Sequence, residues 1–203
     1  MRGPQNRRRI VVLASGNGSN LQALIDACAR DAIQGDIVGV VSDRANAFAL
    51  ERAERAGIPV HVLSFAPFKA KGATRSEYDA ALAGSVAEFM PDIVVLAGFM
   101  RLLSPAFLDR FPERIINLHP ALPGQFIGKD AIERAWSAYE AGSITETGVM
   151  VHIVTEETDA GPVLGTTAVS LAGHDSLASL KEAMHAAEHF LLVQVTADLC
   201  AKA

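Results

Sequence analysis

Ile115-Ile116-Asn117-Leu118-His119-Pro120 sets an amide and an imidazole two residues apart, directly behind a short apolar run. Read as a strand, the run points Asn117 and His119 the same way, because side chains alternate with a period of two. Pro120 has no N–H to give to a sheet ladder, so the strand stops there and leaves the pair at its carboxyl end. In open α/β sheets that end is where ligands bind. Asn offers an uncharged N–H to a developing oxyanion, and His gives or takes a proton near neutral pH. The third member of such a set is usually a carboxylate. Asp159 is the candidate, in Thr155-Glu156-Glu157-Thr158-Asp159-Ala160-Gly161-Pro162, a loop between two later strand-like runs. Taken alone, Asn-x-His-Pro fits a turn-capping amide and a packed core histidine equally well.

Upstream, Arg9 to Leu13 is an apolar strand followed at once by Ser15-Gly16-Asn17-Gly18-Ser19-Asn20 and a helical stretch from Leu21 to Cys28. Free N–H groups at such a helix start attract anions, and the two glycines let a phosphate approach the backbone. An ordinary turn with Ser19 or Asn20 as N-cap is the plainer alternative. The dinucleotide fingerprint fails, since Leu21 stands where a third glycine is needed, and no Gly-Lys-Ser/Thr follows. Strands at Ile37–Val41, Val60–Leu63 and Asp92–Ala97 alternate with helices at Ala47–Ala56 and Arg75–Phe89, which predicts a parallel sheet with helical crossovers. Ser64–Thr74 reads as a polar surface loop. Gly98-Phe99-Met100-Arg101-Leu102-Leu103 then reads either as an exposed wall for a flat heteroaromatic ligand or as a core loop.

Downstream, Asp130–Ala141 reads as a helix with Asp130 as its first-turn acid. Gly148–Val154 and Val163–Val169 are close enough to pair antiparallel, which gives the sheet a mixed edge. His152, inside the first of these runs, reads as a packed or hydrogen-bonded strand histidine and not as a catalyst. The last helix, about Ser176 to Lys202, carries His185 and His189 one turn apart. They lack the order of a zinc protease motif, and no metal is expected.

The 203 residues are half hydrophobic, with a formal net charge of -5. This composition suits one well-buried core and argues against non-specific nucleic-acid binding. Cys28 and Cys200 lie too far apart in sequence to suggest a zinc site or a disulfide framework, and a reducing cytoplasm is the natural compartment. The apolar run behind Arg7-Arg8-Arg9 is too short for a signal peptide, and no membrane span is expected. Residues 1–8 read as a flexible lead-in, and residues 9–203 as a single domain.

Four stretches in collinear order, Ala14 to Gln22, Leu96 to Arg101, Asn117-x-His119-Pro120 and Asp159-Ala160-Gly161-Pro162, closely resemble the glycinamide ribonucleotide formyltransferases of purine biosynthesis. The resemblance runs from Arg9 to about Val169, with an echo in Glu188-His189. It implies a Rossmann-like three-layer α/β fold with a mainly parallel, mixed-edge central sheet. It also implies formyl transfer from 10-formyltetrahydrofolate to the amine of glycinamide ribonucleotide, without a metal. Both partners would be small molecules, with no nucleic acid or membrane, and the chain a monomer or homodimer. Carried over residue by residue, Gly18, Ser19 and Asn20 would hold the ribonucleotide phosphate, and Glu188 would reach the sugar or the glycinamide end. Arg75, Met100, Arg101, Leu102, Leu103 and Asn117, with the loop Thr155, Glu156, Glu157, Thr158 and Asp159, would line the folate site. Asn117, His119 and Asp159 would be the catalytic trio, with Asp159 favouring the His119 imidazolium.

The chain departs from the family at Phe126-Ile127-Gly128-Lys129-Asp130, where Pro-Gly-x-His is usual, so that Ile127 replaces the proline and Asp130 the histidine. It departs again at Val149 and Met150, where polar residues are usual. These changes flank the trio and bear on substrate positioning. The resemblance extends to methionyl-tRNA formyltransferase and formyltetrahydrofolate hydrolase. The first carries a further C-terminal domain and needs basic surface, and the second a further N-terminal regulatory domain. A non-catalytic nucleotide-binding protein on the same fold would have no need of all three trio residues together.

Overall fold

The computed structural model describes residues 7–202. The first apolar run forms β1 (Arg8–Leu13), and the polar turn after it opens α1 (Ser19–Ala29). The alternation continues through β2 (Gly35–Ser42), α2 (Phe48–Arg55) and β3 (Val60–Val62). Next come α3 (Phe65–Ala70), α4 (Arg75–Ala87), β4 (Ile93–Leu96), α5 (Pro105–Leu108) and β5 (Ile115–His119). They are followed by α6 (Ala131–Glu140), β6 (Glu146–Ile153), β7 (Val163–Ser170) and α7 (Leu177–Ala201).

All seven strands share one sheet in the order β3-β2-β1-β4-β5-β6-β7. Pairing is parallel from β3 to β5, while β6 runs antiparallel to both β5 and β7. This is the mixed edge expected from two strands joined by a short loop. From β1 the chain goes first to β2 on one side and later to β4 on the other. The turn after β1 therefore lies at the point where the winding of the sheet reverses, the place such folds reserve for ligands.

Two-residue alternation divides the core. Ile10, Val12, Ile93, Val95, Ile116, Leu118, Val149 and Val151 face a layer built from α1, α2, α6 and α7. Val11, Leu13, Val94, Leu96 and Ile115 face the opposite layer of α3, α4 and α5. By the same alternation Asn117, His119, Met150 and His152 lie on the second face. The helices of that layer pack mainly on the other strands. Pro120 ends β5 as the sequence predicts, which places the amide and imidazole at the open carboxyl edge of the sheet.

Three local expectations are corrected. Ser64–Thr74 is not simply a loop, because it contains α3. Phe65 and Phe68, one turn apart, meet the Tyr78 ring edge-on with centroids 5.2 and 5.3 Å away, so two half-buried aromatics outweigh the polar composition around them. Asp130 is not a first-turn acid. It occupies the N-cap of α6 at φ 56° without a side-chain cap bond, and Glu133 takes the first-turn position. Of the lead-in expected over residues 1–8, residues 1–6 lie outside the described residues, whereas Arg7 and Arg8 belong to the fold. Arg8 opens β1, and Arg7 reaches Asp31 and Asp36 at 2.7 Å each.

Ile116, fully buried beneath the Asn117–His119 edge, supports that edge through packing alone. Ile116→Ala should destabilise the protein by about 2–5 kcal/mol in urea unfolding, and a loss below about 0.5 kcal/mol would show that the strand is held otherwise.

Candidate active site

Asn117 and His119 project from the end of β5, His152 projects from the neighbouring β6, and Asp159 comes over from the loop between β6 and β7. Asn117 is the direct register partner of His152, and His119 that of Met150. The loop returns tightly. A Cβ on Gly161 would collide with the Ile153 carbonyl, so only glycine lets the chain pass there, and Asp159 itself sits at φ 53°, a left-handed conformation that Asp tolerates.

The Asp159 carboxylate is the hub. Its Oδ2 lies 3.3 Å from His119 Nδ1 and accepts the Gly128 N–H at 2.9 Å. Its Oδ1 lies 3.4 Å from Asn117 Nδ2 and 3.7 Å from His152 Nε2. Asn117 Nδ2 is also 3.2 Å from His152 Nε2, and His152 Nδ1 is 2.9 Å from the Ile153 carbonyl. A ring nitrogen can face a carbonyl only as a donor, so Nδ1 carries the proton of the neutral ring and Nε2 accepts from the Asn117 amide. His152 thereby fixes which way the amide points. His119 Nε2 is buried and makes no hydrogen bond within the protein, which leaves it for a substrate group.

Burial presses the His119 pKa below the ordinary histidine value and outweighs Asp159, which pulls it up. Asp159 favours the imidazolium as expected, but the loss of hydration on this buried ring exceeds the attraction of one carboxylate, so the free ring favours its neutral form. Burial also pushes the Asp159 carboxyl up. The Gly128 N–H and the neighbouring His119 and His152 rings together hold it below its usual value.

The turn after β1 stands beside this cluster's edge of the sheet. Gly18 is the N-cap of α1 at φ 76°, and a Cβ there would come within 2.7 Å of Ala49, so a side chain is excluded on both counts. No side chain caps the helix, so the plainer reading of Ser19 or Asn20 as N-cap does not hold, and both residues lie in the first turn with its free N–H groups. Asn20 Nδ2 instead donates to Glu188 Oε2 at 3.0 Å, which joins the expected phosphate residues to the carboxylate on α7. Burial raises the Glu188 pKa, while the Asn20 hydrogen bond and His185 act to lower it. Arg52 braces the turn through the Asn17 carbonyl and side chain at 2.9 and 3.1 Å, a contact that nothing in the sequence signals. A cavity of about 630 Å³ lies against this side of α1, lined in part by Ser19, Arg52, His189 and Phe190, and includes none of the trio.

The expected folate residues fall into two groups. Arg75 Nε and the Ser104 N–H both bond Asp79, at 3.3 and 2.9 Å, which brings Arg75 to the end of the 98–104 segment. Within that segment Met100 and Leu102 are more than half exposed and Leu103 packs on the core, so it is wall and core loop at once. The second group, Thr155, Glu156, Glu157 and Thr158, makes no side-chain hydrogen bond to the first among the described residues. Thr155 bonds only the Glu157 carbonyl, at 3.2 Å.

At the departures, Ile127 is half exposed, and its carbonyl accepts from Arg134 at 2.9 Å. The neighbouring Gly128 reaches Asp159 through its backbone. Val149 is core and Met150 is buried beside His119. His152 is a hydrogen-bonded strand histidine, one of the two readings its place in the run allows, and it also joins the Asn117–Asp159 cluster. The signal that finds it is register, since an antiparallel partner of Asn117 on the same face must meet it. Among the described residues no group of three or more His, Cys, Asp or Glu side chains is placed to hold a metal ion.

The sequence profile of the formyl transferase family matches residues 8–196. Phosphoribosylglycinamide formyltransferase of Schizosaccharomyces pombe is 46% identical over 193 residues, 91% of this chain and 93% of that protein. The enzyme of the same name from Escherichia coli is 43% identical over 180 residues, 89% of this chain and 81% of that protein. Among solved structures, glycinamide ribonucleotide transformylase 1 from Symbiobacterium toebii superposes with a TM-score of 0.89 at 37% identity, covering 98% of this chain and 90% of that one.

Both pKa values lie below the ordinary ones, so the stability gained from neutral His119 and ionised Asp159 is complete above about pH 6.5. Acidification removes the His119 part first, below about pH 6.5, and the Asp159 part below about pH 3.9. Asp159→Asn deletes the charge that pulls His119 upward, so the imidazole should titrate at still lower pH when its ring protons are followed by NMR. An unchanged or higher midpoint would mean that ring and carboxylate are uncoupled.

Proposed function

Because the chain belongs to the formyl transferase family, we propose that it transfers the formyl group of 10-formyltetrahydrofolate to the amine of glycinamide ribonucleotide, a step of purine biosynthesis. The observation that carries this reading is the convergence of Asn117, His119 and Asp159 on one buried hydrogen-bonded cluster at the open edge of the sheet. The relatives that match over most of their length bear the same activity in their names.

The geometry suits the reaction in steps. The ribonucleotide phosphate rests on the free N–H groups after Gly18, with Ser19 and Asn20, and Glu188 faces the sugar or glycinamide end. The folate lies along Arg75 and Met100 to Leu103, with the 155–159 loop on the other side. As the amine attacks the formyl carbon, the carbonyl oxygen becomes an anion. The Asn117 amide, oriented by His152, donates to it. Neutral His119 takes the proton that the amine gives up, and the resulting imidazolium is stabilised by Asp159 at 3.3 Å while it faces the oxyanion. Collapse of the adduct breaks the bond to folate N10, and the same proton passes to that nitrogen, leaving formylglycinamide ribonucleotide and tetrahydrofolate. His119 is thus base and then acid, which a ring held neutral in the free protein can be. No step calls on a metal. The site is assembled within one chain, so a monomer and a homodimer serve equally. No helix among the described residues is long and apolar enough to cross a membrane, and we assign the reaction to the cytoplasm.

His119→Ala should lower kcat by about 10²–10⁴ and leave the affinity for ribose 5-phosphate nearly unchanged. Equal loss of both would mark a structural histidine. Release of tetrahydrofolate from 10-formyltetrahydrofolate should require glycinamide ribonucleotide. Release with water as sole acceptor would make the protein a hydrolase, and absence of release in both assays would leave a binding protein.

A further inference from the structure

We infer that Asp43 is a positioning residue which, together with Ser15, sets the folate-facing Met100–Arg101 segment against the phosphate-facing turn; the inference rests on the formyl-transfer reading above. Asp43 follows β2 directly, close to where dinucleotide-binding sheets present an acid to a ribose hydroxyl. Here both of its oxygens are turned inward. Oδ1 accepts the Ser15 hydroxyl at 2.6 Å, and Oδ2 accepts Arg101 Nε at 2.8 Å, with the Asp43 side chain 3% exposed.

The contacts form a closed brace between two loops. Ser15 is the first residue of the turn that leads to Gly18, and its N–H donates to the Gly98 carbonyl at 3.1 Å. Its hydroxyl, while donating to Asp43, accepts the Met100 N–H at 3.0 Å. Arg101 is held from a second side, because its guanidinium lies 5.0 Å from the Phe65 ring centre and 5.5 Å from that of Tyr78. The Tyr78 hydroxyl is itself tied to the Leu63 carbonyl at 2.7 Å. Arg101 is thus a partly buried cation whose position is dictated by Asp43 and two aromatic faces. An exposed arginine on a free loop would instead sample many rotamers.

Without the carboxylate the guanidinium loses its counter-ion in a place where an unpaired charge is costly, and it must swing out toward solvent along the wall the folate occupies. Without the Ser15 hydroxyl, the Met100 N–H loses its acceptor and the turn loses its tie to the wall. Asp43 touches no substrate in this arrangement, so its effect falls on binding and leaves the chemical step alone.

The test uses the full chain as Asp43→Asn, Ser15→Ala, Arg101→Gln and Asp43→Asn/Arg101→Gln. Steady-state transfer is measured alongside calorimetric binding of 5-formyltetrahydrofolate and thermal melting. Asp43→Asn should raise the KM for 10-formyltetrahydrofolate and weaken 5-formyltetrahydrofolate binding by about tenfold, with kcat within about threefold. Ser15→Ala, which keeps the ion pair and so serves even if Asp43→Asn fails to fold, should raise KM for both substrates. In the double variant the folate KM should stay within about twofold of Arg101→Gln alone, since the two substitutions remove one shared interaction. Unchanged folate binding in Asp43→Asn, multiplicative effects in the double variant, or a fall in kcat that merely tracks melting temperature would overturn the inference. Unsubstituted protein that releases no tetrahydrofolate with the ribonucleotide present would overturn the formyl-transfer reading itself, a result distinct from these because it involves no substitution.

Discussion

A carboxylate largely withdrawn from water must find partners for both oxygens, and the arrangement around Asp159 follows from that demand. One oxygen faces His119 and the Gly128 N–H, the other Asn117 and His152. The four partners come from three parts of the chain: Asn117 and His119 from the end of β5, His152 from the adjoining β6, and Gly128 from the loop after Pro120. The carboxylate therefore pins the loop after Pro120 and its own loop to the paired ends of β5 and β6, and it does so while remaining ionised, because its partners outweigh its burial. The segment from Phe126 to Asp130, whose residues differ most from the family pattern, is tied to this hub by a backbone N–H. A backbone donor is indifferent to which side chain stands at Ile127 or Asp130.

A second brace of the same kind lies across the sheet. Asp43 and Ser15 hold the segment after β4 against the turn after β1, with no contribution from the Asp159 cluster. Both braces use a buried or largely buried carboxylate to join loops at the carboxyl edge, where the strands themselves no longer pair. Loops there carry the chemistry, and charged hydrogen bonds give them a rigidity that apolar packing supplies deeper in the sheet.

Much of the architecture was legible from periodicity. The apolar runs, the alternation of strand and helix, and the stop at Pro120 are local properties, and they appear within a few residues of where the sequence placed them. The places that escaped are those where distant residues decide. Ser64–Thr74 folds into α3 because Phe65 and Phe68 have Tyr78 to pack on. Asp130 does not serve as a first-turn acid because the preceding turn puts it in a left-handed conformation at the helix cap. His119 is neutral because burial, which no spacing reveals, exceeds the pull of its carboxylate.

By itself the sequence determined the order of elements, the parity that points Asn117 and His119 the same way, and the stop at Pro120. These depend on bonds and dihedral preferences within a few residues. Only the tertiary structure decided that His152 lies opposite Asn117, that Glu188 meets Asn20, and that the buried Asp43 pairs with Arg101. Each of these pairs joins residues far apart in the chain. Their meeting is set by strand register and helix docking, and the energy that selects those comes from the burial of the whole core.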